Sequence, residues 1–185
     1  MMTEISLNVL DVAQNSIRAN ASLIELSVSI DTLSDKLTVV IKDNGCGMSE
    51  EQIAHVEDPF FTTRTTRKVG LGIPFFKYAA LLTEGDFSIT SKLGEGTVVI
   101  AAFGLSHIDR MPLGDMTSTI HTLITFNTET DFLYTYTYND KCFTLDTREF
   151  REVLGDVPFN TPEVSLYIKD FLTENKNEVD GGVLL

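Results

Sequence analysis

The sequence predicts an α+β fold: a two-layer sandwich with one mixed sheet, helices over one face, and a small α+β extension at the C-terminal end. Helical and strand periodicities alternate along the first half of the chain, and glycine-rich turns punctuate the joins. The composition is that of a globular protein, with 43% hydrophobic and 22% charged residues. A length of 185 residues suffices for one ordinary domain, or a compact one with an appendage. The change of character after Gly104 divides the chain into 1–104 and 105–185.

Residues 5–18 read as a helix, and residues 23–30 alternate as a strand with Ile24, Leu26, Val28 and Ile30 on one face. Residues 36–41 are β-rich and stop at the turn chemistry of Asp43-Asn44-Gly45. Ser49 and Gln52 form a capping-box pair that starts a helix. Residues 58–69 read as a loop rich in threonine and arginine, and residues 73–83 as a helix with Pro74 in its first turn. Residues 87–91 and 97–103 are strands joined by the turn Gly94-Glu95-Gly96. Beyond Gly104, residues 117–126 and 132–138 are threonine- and aromatic-rich and read as β segments. Asn139-Asp140 predicts a hairpin turn into 142–145. Thr161-Pro162-Glu163 opens a last helix to about residue 174, with 175–185 a frayed tail.

No apolar run approaches the roughly 20 residues needed to cross a bilayer, so no membrane partner is expected. Residues 1–8 carry an acid and no basic cluster, unlike a signal peptide. Two isolated cysteines, Cys46 and Cys142, are too few for a disulfide framework. A soluble cytoplasmic protein is therefore the expectation. The formal net charge of −13 repels a phosphate backbone and argues against nucleic-acid binding. A free nucleotide needs only local compensation, so it is not excluded.

Glu4, Asn8, Asp11, Asn15 and Arg18 recur at spacings that place them along one helix face. A solvated face accounts for such a stripe in an arbitrary helix. Two asparagines in the interior of this one are poor helix formers, and the mixture of acid, amide and base suits a metal-bound polyphosphate. Asp43-Asn44-Gly45-Cys46-Gly47-Met48 lies between a strand and a helix, where alternate glycines allow a sharp bend and close approach to a flat ligand. A carboxylate at the strand end can accept a hydrogen bond from an exocyclic amine. Gly70-Leu71-Gly72 opens another helix, where unpaired N–H groups favour phosphate. One glycine box is ordinary turn punctuation; three, interleaved with strands and helices in this order, are not.

These boxes resemble those of the gyrase, chaperone, histidine-kinase and mismatch-repair (GHKL) ATPase superfamily, whose ATP-binding domain has the Bergerat-type fold. Asp43 to Met48 resembles the adenine-binding box, in a version close to that of mismatch-repair ATPases. Pro59-Phe60-Phe61-Thr62-Thr63 resembles the phenylalanine box of histidine kinases, Gly70-Leu71-Gly72-Ile73 their second glycine box, and Gly94-Glu95-Gly96-Thr97 the closing turn. Leu10-Asp11-Val12-Ala13-Gln14-Asn15-Ser16-Ile17-Arg18 resembles the N box. The resemblance covers residues 5–103.

Residue by residue, the resemblance implies ATP and Mg²⁺ as cofactors. Asn15 would ligate the metal and Arg18 would contact phosphate. Asp43 would read the adenine amine, with Gly45, Gly47 and Met48 shaping the base pocket and Thr97 supporting it. Phe60, Thr63, Lys68, Gly70, Leu71 and Gly72 would form the lid and the phosphate cradle. Two departures concern that lid: Lys68 stands where histidine kinases usually have a glycine, and the lid is very short.

The residue four before the metal asparagine separates the branches of the superfamily. Members that activate water or a hydroxyl usually carry glutamate there, and histidine kinases asparagine or histidine. Here it is Asp11. Water and serine are weak nucleophiles that gain roughly 10²–10⁴-fold from a placed general base, whereas a neutral imidazole needs less help. Asp11 is the candidate catalytic residue, although aspartate is one methylene shorter than glutamate and a role on the helix surface or behind the metal stays open. Arg64, Arg67 and Lys68 add positive charge before the second glycine box.

The function so implied is Mg-ATP binding with hydrolysis or phosphotransfer to a protein hydroxyl, in the manner of a regulatory kinase of the anti-sigma type. A non-catalytic ATP-dependent switch that binds a protein partner is the alternative. A third reading takes Ser106-His107-Ile108-Asp109-Arg110-Met111-Pro112-Leu113 as similar to a phosphoacceptor box, with His107 as acceptor. That segment follows the ATPase boxes rather than preceding them, and Ile108 stands where an acid is usual. A protein partner or substrate and a possible homodimer complete the expectations.

Overall fold

The computed structural model describes residues 3–56 and 72–185. In chain order the elements are α1 (Ile5–Arg18), β1 (Leu23–Asp31), β2 (Lys36–Asp43), α2 (Glu50–His55), α3 (Gly72–Leu81), β3 (Asp86–Lys92), β4 (Gly96–Gly104), α4 (Met116–Phe126), β5 (Asp131–Tyr138), β6 (Lys141–Asp146), α5 (Thr147–Leu154) and α6 (Pro162–Asp180). The strands form one six-stranded sheet in the order β3-β4-β2-β1-β5-β6. Only the β1–β5 pair is parallel, so the sheet is mixed, as the sequence predicts.

Strand alternation decides which face is covered. Ile24, Leu26, Val28 and Ile30 of β1 face the core beside Ile41, Val39 and Leu37 of β2 and Phe132, Tyr134 and Tyr136 of β5. Their neighbours on the other face are mostly polar, with a Lys42–Glu25 ion pair and a Thr135–Thr144 hydroxyl contact. One side of the sheet is therefore packed and the other is wet. α1 packs on β2, α3 on β3 and β4, α4 on β5, and α6 on β5 and β6. Val9, Val12 and Ala13 supply the buried stripe of α1, and Phe76 and Ala80 that of α3.

Two readings of the C-terminal half are corrected and one element is added. Residues 116–126 form helix α4, where a β segment is expected over 117–126. The threonines and isoleucines there favour strands only weakly once packing is set. Met116, Ile120, Leu123 and Ile124 instead bury one helical stripe, and Asp115 caps it by accepting from the Ser118 N–H at 2.8 Å. Thr147–Leu154, unassigned from sequence, is helix α5, with Asp146 accepting from the Arg148 N–H. The last helix continues past residue 174 to Asp180 and is not frayed. Asp180 is buried, accepts from the Tyr136 hydroxyl at 2.8 Å and pairs with Lys176 at 2.6 Å, and Gly181 ends the helix in the left-handed region. The final residue is held too, since the Leu113 N–H donates to the Leu185 carbonyl at 2.7 Å.

The segment before α4 also anchors α1. The carbonyls of Pro112 and Leu113 accept from the N–H groups of Ile5 and Ser6, two of the four that a helix start leaves unpaired. No helix among the described residues is long and apolar enough to cross a membrane.

Candidate functional site

The core-facing row of β2 reads Leu37, Val39, Ile41, Asp43, three apolar residues followed by a carboxylate. The carboxylate falls where the sandwich opens into a cavity of about 290 Å³ between α1, the loop after β2, α2, the start of α3 and strands β3 and β4. Asp43 is only 8% exposed. Burying a carboxylate costs several kcal/mol unless it is hydrogen-bonded, and here two donors meet it. The Ser16 hydroxyl donates to Oδ2 at 2.6 Å and the Gly45 N–H donates to Oδ1 at 2.9 Å.

The floor beside Asp43 follows from the ladder. Thr97 pairs with Asp43 across β2–β4, and Ser91 pairs with Thr97 across β3–β4, so the three form one row on one face. The Ser91 hydroxyl donates to the Gly96 carbonyl at 2.8 Å, lies 2.8 Å from the Thr97 hydroxyl, and accepts from the Met48 N–H at 2.9 Å. The row behind it, Ile89 and Val99, is apolar and also lines the cavity. Val12, Met48, Val56 and Ile73 add further apolar wall, which suits a flat heterocycle with one polar edge.

The loop after β2 is locked from both sides. The Asn44 side-chain oxygen accepts from the N–H groups of Ser22 and Leu23, the Cys46 N–H donates to the Ala19 carbonyl, and the Gly94 N–H donates to the Cys46 carbonyl. Gly47 has φ +64°, and an added Cβ would lie 2.0 Å from the Lys92 carbonyl oxygen. Only glycine brings this loop so close to the β3–β4 turn. α2 then starts on both bonds of the Ser49–Gln52 capping box, as the sequence predicts.

Asn15 and Arg18 line the same cavity from α1, with the Arg18 guanidinium donating to the Asn15 side-chain oxygen at 3.0 Å. Asp43 and Arg18 are the only charged residues lining it among the described ones, an anion and a cation on different walls. Gly72, the first residue of α3, lines it too. Asp11 does not line the cavity. Its carboxylate abuts Gly72, where an added Cβ would sit 2.1 Å from Oδ2. An acid at a helix start is favourable.

Of the residues singled out from sequence, Asn15, Arg18, Asp43, Gly47, Met48, Gly72 and Thr97 meet at one cavity. Gly45 acts behind it, through its bond to Asp43. Phe60, Thr63, Lys68, Gly70 and Leu71, with Arg64 and Arg67, lie outside the described residues. The polar stripe of α1 is not solvated along its length, since Asn8 is fully buried and donates to the Glu4 carbonyl at 3.2 Å. Ser16 and Ser91 were missed. Ser16 had a signal: it follows Val9, Val12 and Ala13 on the buried stripe, and a hydroxyl there requires a partner. His107 lies past the far end of β4, seven residues along the strand from Thr97 to Gly104, or about 23 Å.

The family of histidine kinase-, DNA gyrase B- and HSP90-like ATPases matches residues 3–107. Sporulation kinase D of Bacillus subtilis (strain 168) is 31% identical over 98 residues, 53% of this chain and 19% of that protein. Sensor histidine kinase YvrG of the same organism is 29% identical over 93 residues, 48% of this chain and 16% of that protein. The match thus spans less than a fifth of either relative. The crystal structure of the N-terminal domain of a DNA repair protein superposes with a TM-score of 0.55 at 16% identity, covering 78% of this chain and 52% of that one. That likeness concerns the fold alone. It covers more of the chain than the family match does, so it reaches into the segment beyond residue 107.

Proposed function

Because the chain belongs to the histidine kinase-, DNA gyrase B- and HSP90-like ATPase family, we propose that it binds Mg-ATP in the cavity between α1 and the loop after β2 and turns it over. The observation that carries this reading is Asp43, a buried carboxylate whose row with Thr97 edges the apolar part of the cleft formed by Ile89, Val99, Val12 and Met48. An exocyclic amine of a purine satisfies that edge. At the other wall, Arg18 is available to compensate phosphate charge, and the start of α3 adds backbone N–H groups.

The metal fits as a companion of the nucleotide rather than as a resident ion. Mg²⁺ takes one or two protein ligands and completes its shell with water and phosphate oxygens. The Asn15 amide oxygen at the cavity would be one of them once the Arg18 guanidinium that it accepts from turns to the phosphates. Bound there, the ion would offset charge on the triphosphate. Asp11, one turn before Asn15 on α1, would accept the proton of an attacking water or protein hydroxyl.

A switch without turnover is favoured by one different observation, the seat of Asp11 against Gly72 at the α3 start. In that reading Asp11 holds α3 in place and ATP binding presents a surface to a protein partner or a second copy. Transfer to His107 of the same chain is disfavoured by the length of β4. The division at residue 104 is a functional one in this proposal: residues 1–104 hold the nucleotide, and 105–185 brace them through β5 and carry partner contacts.

Turnover and nucleotide affinity of Asp11→Asn test the proposal. The catalytic reading expects turnover to fall by about 10²-fold or more with affinity held within a few fold. Unchanged turnover removes Asp11 as the base, and a wild type that binds ATP without turning it over leaves the switch. Acid-labile phosphate on the isolated wild-type protein would instead support His107.

A further inference from the structure

The hydroxyl row beside Asp43 has a direction that hydrogen counting fixes. Ser91 Oγ carries one hydrogen and meets three partners. The Gly96 carbonyl can only accept, so the Ser91 hydrogen goes there. The Met48 N–H can only donate, so Ser91 accepts from it. Toward Thr97, Ser91 therefore has only a lone pair to offer, and the Thr97 hydrogen must point at Ser91. Thr97 is left with lone pairs alone for the cavity. The same count applies at Ser16, whose hydrogen is engaged by Asp43 Oδ2. Three side chains on this wall, Asp43, Thr97 and Ser16, consequently present acceptors.

Resting on the proposed nucleotide site, we infer that Ser91, which does not itself line the cavity, sets base specificity by holding Thr97 as an acceptor. A wall of acceptors welcomes a purine with an amine at the six position. A six-keto purine puts an acceptor where the amine stood and moves its donor to N1, so the acceptors facing the six position lose their partner. Without Ser91 the Thr97 hydroxyl is free to turn, donate to a keto oxygen and recover part of the lost binding. Ser91 is thus a positioning residue: it acts through Thr97.

Calorimetric affinities for ATP and for inosine triphosphate, which carries the keto oxygen, test this on the purified chain with Mg²⁺. The wild type is expected to favour ATP by roughly 10–100-fold. Ser91→Ala should lower that ratio by about tenfold, chiefly through tighter inosine triphosphate binding, and Ser91→Thr, which keeps the hydroxyl, should restore it. Thr97→Val removes the oriented hydroxyl directly and should lower the ratio even if Ser91→Ala is poorly folded. A ratio that stays constant in Ser91→Ala or Thr97→Val while both affinities fall together overturns the inference and leaves the nucleotide site standing. So does a wild type that binds both nucleotides equally. A wild type that binds neither overturns the nucleotide site and the inference with it.

Discussion

Ser16 of α1 donates its hydroxyl hydrogen to Oδ2 of Asp43, 27 residues away at the end of β2, across 2.6 Å. The bond joins the helix that carries Asn15 to the strand that carries the buried carboxylate. Ser16→Ala removes one of the two donors to that carboxylate. The expected result is a loss of about 1–3 kcal/mol in urea unfolding, together with weaker ATP binding. Asp43→Asn keeps the shape but gives up the charge-assisted bond to a ligand amine. Its ATP affinity, measured by calorimetry with Mg²⁺, should drop by roughly tenfold or more. Wild-type affinity in Asp43→Asn would remove Asp43 from the base pocket.

Two glycines with positive φ separate close packing from backbone conformation. An alanine at Gly94 (φ +79°) meets nothing within 4 Å, whereas an alanine at Gly47 (φ +64°) meets the Lys92 carbonyl at 2.0 Å. Gly94→Ala should cost about 1 kcal/mol for the conformation alone. Gly47→Ala should cost clearly more, and should also disturb nucleotide binding because the loop has to move. Thermal melts of the two variants side by side give the comparison. Equal losses would show that the loop has slack.

The end of α6 depends on a buried charge. Asp180 holds the Tyr136 hydroxyl and the Lys176 ammonium, and burial together with Asp180 pushes the Tyr136 phenol well above its ordinary range. Asp180→Ala strands both partners and should cost about 3 kcal/mol. Glu178→Ala, two residues earlier and exposed, should stay within about 0.5 kcal/mol. Chemical denaturation of both variants checks this, and a small effect at Asp180 would mean that the last turn frays in solution.

Asp146 supplies a pH dependence. The bond from Arg148 holds its carboxyl below the usual carboxylate range, against a smaller opposing effect of burial. The folded state therefore binds this proton less readily than the unfolded chain does. The resulting stability is present above about pH 4 and is lost as pH falls through the folded value. Unfolding midpoints measured from pH 6 down to pH 2 should converge for wild type and Asp146→Asn at the acid end and separate above it. Parallel curves would show that the capping carboxylate contributes nothing through its charge.

How far the sequence reveals this molecule depends on where the partner of each residue lies. α1 was legible because its signal is contained in its own period, and the Ser49–Gln52 cap because both bonds are local. Asp43 was legible from the turn chemistry that follows it. Ser16 and Ser91 were not, because their partners lie on other elements and a serine has no pattern of its own. α4 was misread because Thr117, Thr119, Ile120 and Thr122 favour a strand locally, while the packing of Met116, Ile120 and Leu123 decides for a helix. The end of α6 is expected to fray from its place at the terminus, and the long-range bond from Tyr136 to Asp180, beyond the reach of any local pattern, helps to show why it does not.

The parallel pairing of β1 with β5 sets an order of events during synthesis. β1 ends at Asp31 and β5 begins at Asp131, so at usual elongation rates about 5–20 s pass between them. For that time β1 can be paired with β2 on one side and bare on the other, a row of unsatisfied N–H and C=O groups open to any passing strand. Shortening the chain before β5 makes this interval permanent. Residues 1–104 made alone should then associate edge to edge.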